Sequence, residues 1–394
     1  MIKKISNLFL IVLLFSFMFS CEQNNEEFIN LDLSIAWNVD SENYGNQRLA
    51  MDYEKERVYV TETWNGTMSA IDMKSGKLLW RSNEIVFSDT NAVFDEKYVY
   101  NVGWKLPGEK EVIFVQLDKD TGDVVKTKKL GEDREILARM NSLSFYNDTL
   151  YWGGGDHFVH AYNTQDDADS YKVWGCEDVT ADIMGDIVPY NGRLYFVAEV
   201  YPYIDDPKPS RLISMLPDGT DVKELEIPVD FVGVDTNAIQ IYEGKLYLNG
   251  TYFICLDPET FKIEWELKRD EGFYSSYGFT IHEGKIYTAT NINSCDSVFC
   301  IDARKGKIIW QEKLDSSYGT IGYQPQVYRG YVYLPTQSSL IVLNAKTGKY
   351  VGRDERLETG ALSLGKTISY KDLLIVSAPL INKMYAVKMD MHTR

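Results

Sequence analysis

An aliphatic residue followed by tyrosine recurs along this chain at Val58-Tyr59, Val99-Tyr100, Leu150-Tyr151, Leu194-Tyr195, Leu246-Tyr247, Ile286-Tyr287 and Val332-Tyr333, with Leu373-Leu374 in the same place near the end. The spacing averages about 45 residues, the length of a four-stranded propeller blade. Residues 57–81, RVYVTETWNGTMSAIDMKSGKLLWR, show the unit most clearly. Val58-Tyr59-Val60 and Met68-Ser69-Ala70-Ile71 have the length and patterning of strands. Asn65-Gly66 is a hairpin turn, and Lys74-Ser75-Gly76-Lys77 turns the chain into Leu78-Leu79-Trp80. Arg48-Leu49-Ala50-Met51, ending in the turn Tyr53-Glu54-Lys55-Glu56, adds a fourth strand, so each repeat is one antiparallel meander. The eight second strands predict an all-β chain, an eight-bladed β-propeller of four-stranded antiparallel blades.

The last repeat stops at Ala386-Val387-Lys388-Met389-Asp390, one strand short, while Ser34-Ile35-Ala36-Trp37-Asn38-Val39 places a tryptophan where Trp80, Trp265 and Trp310 end their repeats. Residues 33–39 are therefore predicted to supply the missing outer strand and close the ring, which removes an unpaired edge. Residues 33–394 are expected to form one domain. Ahead of it, Lys3 and Lys4 precede an apolar run from Leu8 to Phe19, then Ser20 and Cys21. The run is too short to span a bilayer and reads as a signal peptide over residues 1–20. Cys21 is then the lipidated first residue of the mature chain, followed by an acidic tether through residue 32. Cleavage removes two lysines and no acid, taking the formal charge from −17 to −19. Such a surface offers nothing to a phosphate backbone, so nucleic acid is excluded, and the lipid is the one membrane contact expected.

The sequence of aliphatic-Tyr, turn, Ala-Ile-Asp, Ser-Gly-Lys and Trp resembles the repeat of pyrroloquinoline-quinone-like (PQQ-like) propellers over most of the chain after about residue 33. In size, anchor and repeat the chain is also similar to the propeller lipoproteins of the outer-membrane barrel-assembly machinery. That resemblance implies a lipoprotein of the cell envelope, a monomer, that docks a protein partner through its rim without catalysis. Two other readings stand beside it: glycan capture at the cell surface, and a PQQ-dependent oxidoreductase. Quinoprotein dehydrogenases stack their cofactor between a tryptophan and a vicinal disulfide and hold a calcium. No Cys-Cys pair exists here, so no cofactor is expected and PQQ lacks support.

The rim loops carry the candidate binding residues. The second-to-third hairpins are expected to be long in blade 2 (103–111), blade 4 (200–210) and blade 6 (291–297). The connections entering blades 6 and 7 repeat a motif, Ser275-Ser276-Tyr277-Gly278 and Ser316-Ser317-Tyr318-Gly319. Tyr277 and Tyr318, with Phe273, Tyr274, Tyr323, Trp64, Trp104, Tyr201 and Tyr203, are the candidate aromatic rim for a glycan or protein. The plainer reading of the duplicated turn is that a duplicated repeat kept it. Cys295 and Cys300 lie across one predicted hairpin and are a candidate disulfide, whereas Cys255 and Cys300 also sit at a small third-strand position suited to buried thiols.

No metal site or catalytic group is expected. His157 and His160 are predicted to point to opposite faces of a hairpin. Asp118-Lys119-Asp120-Thr121-Gly122-Asp123 lacks the sixth-position glycine and twelfth-position glutamate of an EF-hand loop and reads as an ordinary turn. Asp166-Asp167 and Asp205-Asp206 read as solvated loop acids.

Overall fold

Second and third strands buried on both faces, such as Arg57–Glu62 and Thr67–Asp72, with partly exposed outer strands such as Val124–Gly131, set the architecture. In the computed structural model the described residues form 32 strands in eight four-stranded antiparallel sheets, without a helix. Described are residue 31 and residues 33–40, 47–62, 66–82, 86, 88, 90–105, 111–132, 142–166, 172–175, 181–200, 209–227, 238–250, 253–268, 278–292, 295–314, 324–336, 339–355, 367–378 and 383–390. Blade 1 runs outward through Gln47–Asp52, Arg57–Glu62, Thr67–Asp72 and Leu78–Ser82. Blades 2 to 7 repeat this in-order meander. Blade 8 takes its inner three strands from Ile368–Tyr370, Leu373–Ala378 and Lys383–Lys388, and its outer strand from Ile35–Asp40. The N-terminal strand thus closes the ring as expected, with Trp37 opposite Ala386.

The core is not central. It is divided into wedges between neighbouring blades, and the aliphatic-Tyr pair serves two of them at once, because adjacent strand residues face opposite sides. Val58 packs into the wedge between blades 8 and 1, and Tyr59 into that between blades 1 and 2. Leu246 and Tyr247 divide in the same way, as do Ile286 and Tyr287. Tyr59 and Tyr100 donate to Asp52 and Asp95 of their own blades, whereas later tyrosine hydroxyls find an acceptor in the following blade. Tyr195 donates to the Pro258 carbonyl at 3.2 Å, Tyr247 to Ala303 at 3.1 Å, Tyr287 to Ala345 at 3.3 Å, and Tyr333 to Met389. A phenol suits this place because it fills the wedge with a ring and leaves a donor for a turn carbonyl.

Four junctions add a tryptophan. The indole N–H of Trp80 donates to the Lys119 carbonyl of blade 2 at 3.0 Å, Trp37 to Met73 at 2.9 Å, Trp265 to Ala303 and Trp310 to Ala345 at 3.0 Å. Each indole lies on a turn glycine of the next blade. At Gly122, where φ is +76°, a Cβ would fall 2.5 Å from Trp80, so only glycine admits both the backbone conformation and the contact. Across the sheet, Tyr and Trp flank a small residue: Tyr59, Ala70 and Trp80 in blade 1, Tyr247, Cys255 and Trp265 in blade 5, Tyr287, Cys300 and Trp310 in blade 6. Blade 7 has Gly352 at the tryptophan position. There the chain entering the closing strand fills the wedge instead: Leu33 packs with Tyr333, Val342 and Val387, and its N–H donates to the buried Asp354 carboxylate at 3.0 Å.

Two expectations are corrected. The blade 6 hairpin is short: strands Lys285–Ile292 and Cys295–Asp302 pair until Ile292 meets Cys295. The polar run around Asn291 and Asp296 marks paired strand ends rather than a loop. Cys295 and Cys300 consequently lie on one strand, about 17 Å apart at ~3.4 Å per residue, far beyond disulfide reach. Cys300, like Cys255, is a buried free thiol.

Candidate functional site

The first strands of the blades face the axis, and between them lies a cavity of about 530 Å³. Its wall has two characters. Leu49, Ala50 and Met51 of blade 1, Val93 and Phe94 of blade 2, Leu143 and Phe145 of blade 3 and Pro189 of blade 4 supply carbon. Gln324 and Gln326 from blade 7, with Thr367 and Ser369 from blade 8, supply amides and hydroxyls. In a ring of eight, blade 7 stands opposite blade 3 and blade 8 opposite blade 4, so the polar arc faces the apolar one across the axis. Asn91, Ser144 and Ile368 are the exceptions to this division.

Several polar groups near the axis also tie blades together. Gln240 Nε2 donates to the Phe279 carbonyl at 2.6 Å, and Gln324 Nε2 to the same carbonyl at 2.5 Å. Thr280 Oγ1 donates to Pro325 at 2.5 Å, Gln326 Nε2 to Thr367 at 3.2 Å, and Ser144 Oγ to Ile187. Each amide donor so used keeps its side-chain oxygen, whereas the hydroxyl of Thr367, a residue 4% exposed, has no hydrogen-bond partner. These residues escaped the sequence reading. The one available signal was Gln, Thr and Ser at the start of the first strands of blades 7 and 8.

Among the described lining residues the only ionisable side chain is Tyr53, and no cluster of three or more His, Cys, Asp or Glu side chains that could hold a metal exists among the described residues. The described wall does not fit PQQ, whose carboxylates call for cationic partners and whose calcium calls for acidic ones. Elsewhere, His160 is buried, stacked on Trp152 with ring centroids 5.3 Å apart, and bonded to Asp156 at 2.9 Å. Asp118 accepts the N–H groups of Asp120 and Thr121, both at 2.9 Å, and these bonds hold its carboxyl below the usual range. It is consumed by its own turn, as read from sequence. Burial pushes the Cys255 and Cys300 thiols up to about 11, so neither is a nucleophile at neutral pH.

Of the aromatic rim, Tyr277, Tyr318, Phe273, Tyr274, Tyr323, Trp64, Tyr201 and Tyr203 lie outside the described residues, as does Cys21. Trp104 ends the second strand of blade 2, half-buried and packed with the wedge that includes Val102, Phe114 and Trp152.

Residues 242–389 match the family model described as outer membrane protein assembly factor BamB. No curated protein matches. Among solved structures, BamB from Moraxella catarrhalis is 11% identical with a TM-score of 0.67, covering 92% of this chain and 100% of that one. The quinohemoprotein alcohol dehydrogenase of Comamonas testosteroni is 11% identical with a TM-score of 0.69, covering 92% of this chain and 77% of its own. The computationally designed Ika8 protein is 10% identical with a TM-score of 0.63, covering 90% of this chain and 99% of that one. At these identities the likeness to the solved structures is one of fold.

Proposed function

Because the chain is a PQQ-like, BamB-like propeller, we propose that it is a lipid-anchored, non-catalytic module of the cell envelope that docks a protein partner. The fold supports a binding or scaffold role in general. The observation that carries the finer reading is the outer wall of three consecutive blades. Ile35 of blade 8, Leu78 and Leu79 of blade 1, and Val124 and Val125 of blade 2 are all exposed. They lie on outermost strands, whose second edge has no partner within the sheet. Exposed aliphatics beside open strand edges suit a protein that adds a strand or lays an apolar face there. Cys21 and its acidic tether supply the anchor.

The test is photo-crosslinking in cells, with a photoreactive amino acid replacing Leu79 or Val125 and, as control, the exposed Lys346 of blade 7. A discrete adduct to one protein at both test positions, absent at the control, is expected. Equal labelling at all three positions, or none at the first two, refutes docking on this wall. Separately, Cys21→Ser is expected to move the protein from the membrane to the soluble fraction. Retention at the membrane refutes the anchor.

A further inference from the structure

We infer that the axial cavity is a binding site for a neutral, polyhydroxylated small molecule of one or two sugar units. The site is separate from the outer wall and independent of the docking reading. Its volume of about 530 Å³ falls within the range of small-molecule pockets, about 300–1,000 Å³. Its chemistry then narrows the occupant. A charged ligand would leave its hydration shell without gaining a counter-charge, since no Lys, Arg, Asp, Glu or His is found among the described lining residues. A wholly apolar ligand would strand the Gln324 and Gln326 amides and the Ser369 hydroxyl against carbon.

A pyranose satisfies both sides. Its hydroxyl edge meets Gln324, Gln326 and Ser369, and its C–H face meets Leu143, Phe145 and Pro189 across the axis. The inter-blade bonds that occupy the Gln324 and Gln326 amide nitrogens fix their side-chain oxygens in place as acceptors, so the site is held ready rather than assembled on binding.

The test uses the full chain in detergent, saturation-transfer NMR, and glucose, maltose, cellobiose and diacetylchitobiose as probes, with glucuronate and PQQ as anionic controls. At least one neutral sugar is expected to give a signal, and the anions none. Ser369→Ala is expected to weaken that sugar about five- to tenfold, the worth of one neutral hydrogen bond. Ser369→Phe, which fills the cavity, is expected to abolish binding while circular dichroism shows an intact fold. Silence from every neutral sugar, stronger binding of an anion, or a signal that survives Ser369→Phe in a folded protein each overturns the inference. None of these outcomes bears on crosslinking at Leu79 and Val125, so the two readings fail separately.

Discussion

Gly122→Ala tests the tryptophan docking that seals blade 1 to blade 2, and Gly192→Ala is its control. The two glycines have nearly the same backbone, φ +76° and +77°, but a Cβ at Gly122 would lie 2.5 Å from Trp80, while one at Gly192 meets nothing within 4 Å. Left-handed strain, roughly 1–2 kcal/mol for an L-residue, is common to both and cancels in the difference. What remains is the overpacking cost against an indole that is 6% exposed, about 1–3 kcal/mol. With unfolding entropy near 2.1 cal/mol/K per residue, a chain of 394 residues gains about 0.8 kcal/mol/K, so Gly122→Ala is expected to melt ~1–4 °C below Gly192→Ala. Scanning calorimetry reads this directly. In a Trp80→Ala background the extra cost of Gly122→Ala should disappear, since the clash partner is gone. Equal melting of the two glycine variants, or a difference that persists without the indole, refutes the docking account.

Lys119 and Asp52 form a buried ion pair between blades 1 and 2 at 2.8 Å, so Lys119→Met should cost about 3–5 kcal/mol by leaving the carboxylate unpaired, and adding Asp52→Asn should recover much of it. Burial pushes the Asp52 carboxyl up, but the Lys119 ammonium and the Lys55 and Glu54 N–H groups together hold it below its ordinary value. The pair therefore stabilises fully above the unfolded carboxylate pKa, roughly 3.9, and is lost as pH falls through the lowered value. Acid titration of Lys119→Met should lack that component. Thr260 N–H and hydroxyl bonds hold Asp257 at about 2, so Asp257→Asn should remove acid sensitivity between about pH 4 and pH 2 with little change at neutrality; Asn344 already fills the same role in blade 7, accepting from Lys346 and Thr347 at 3.0 Å. A large neutral-pH loss in Asp257→Asn would count against this. Cys255 and Cys300 should react with Ellman's reagent only after unfolding, and rapid labelling of the native protein would contradict their burial.

The blades were legible because a strand buried on both faces needs two different side chains side by side, and Val58-Tyr59 or Leu246-Tyr247 meets that need visibly. Trp37 was legible for the same reason: it repeats a position whose partner, a turn glycine, also repeats. The channel wall was not. The first strand of blade 2 is only Val93–Phe94, too short to show a period, and Gln326 and Thr367 look like loop residues until the ring brings them to one axis. The Asn291 to Ser297 stretch misled because its polar residues read as a loop, whereas the strands pair until Ile292 meets Cys295. The tyrosines of the two Ser-Ser-Tyr-Gly turns depend on loop paths that no local pattern encodes.

The ring contacts of one class point one way round the ring: Tyr151, Tyr195, Tyr247, Tyr287 and Tyr333 donate to a carbonyl of the blade that follows, and so do Trp37, Trp80, Trp265 and Trp310. Such head-to-tail contacts have no natural end. An opened ring would carry an empty acceptor at one side, the Met73 carbonyl and Gly76, and an idle donor at the other, Trp37. The N-terminal strand settles this within one chain by bringing Trp37 beside blade 1. A chain lacking that strand keeps the vacant seam on blade 8 and the unfilled acceptor on blade 1, and only the matching strand of another copy could satisfy both. The strand thus joins the two ends of a one-way series of contacts into a closed circuit.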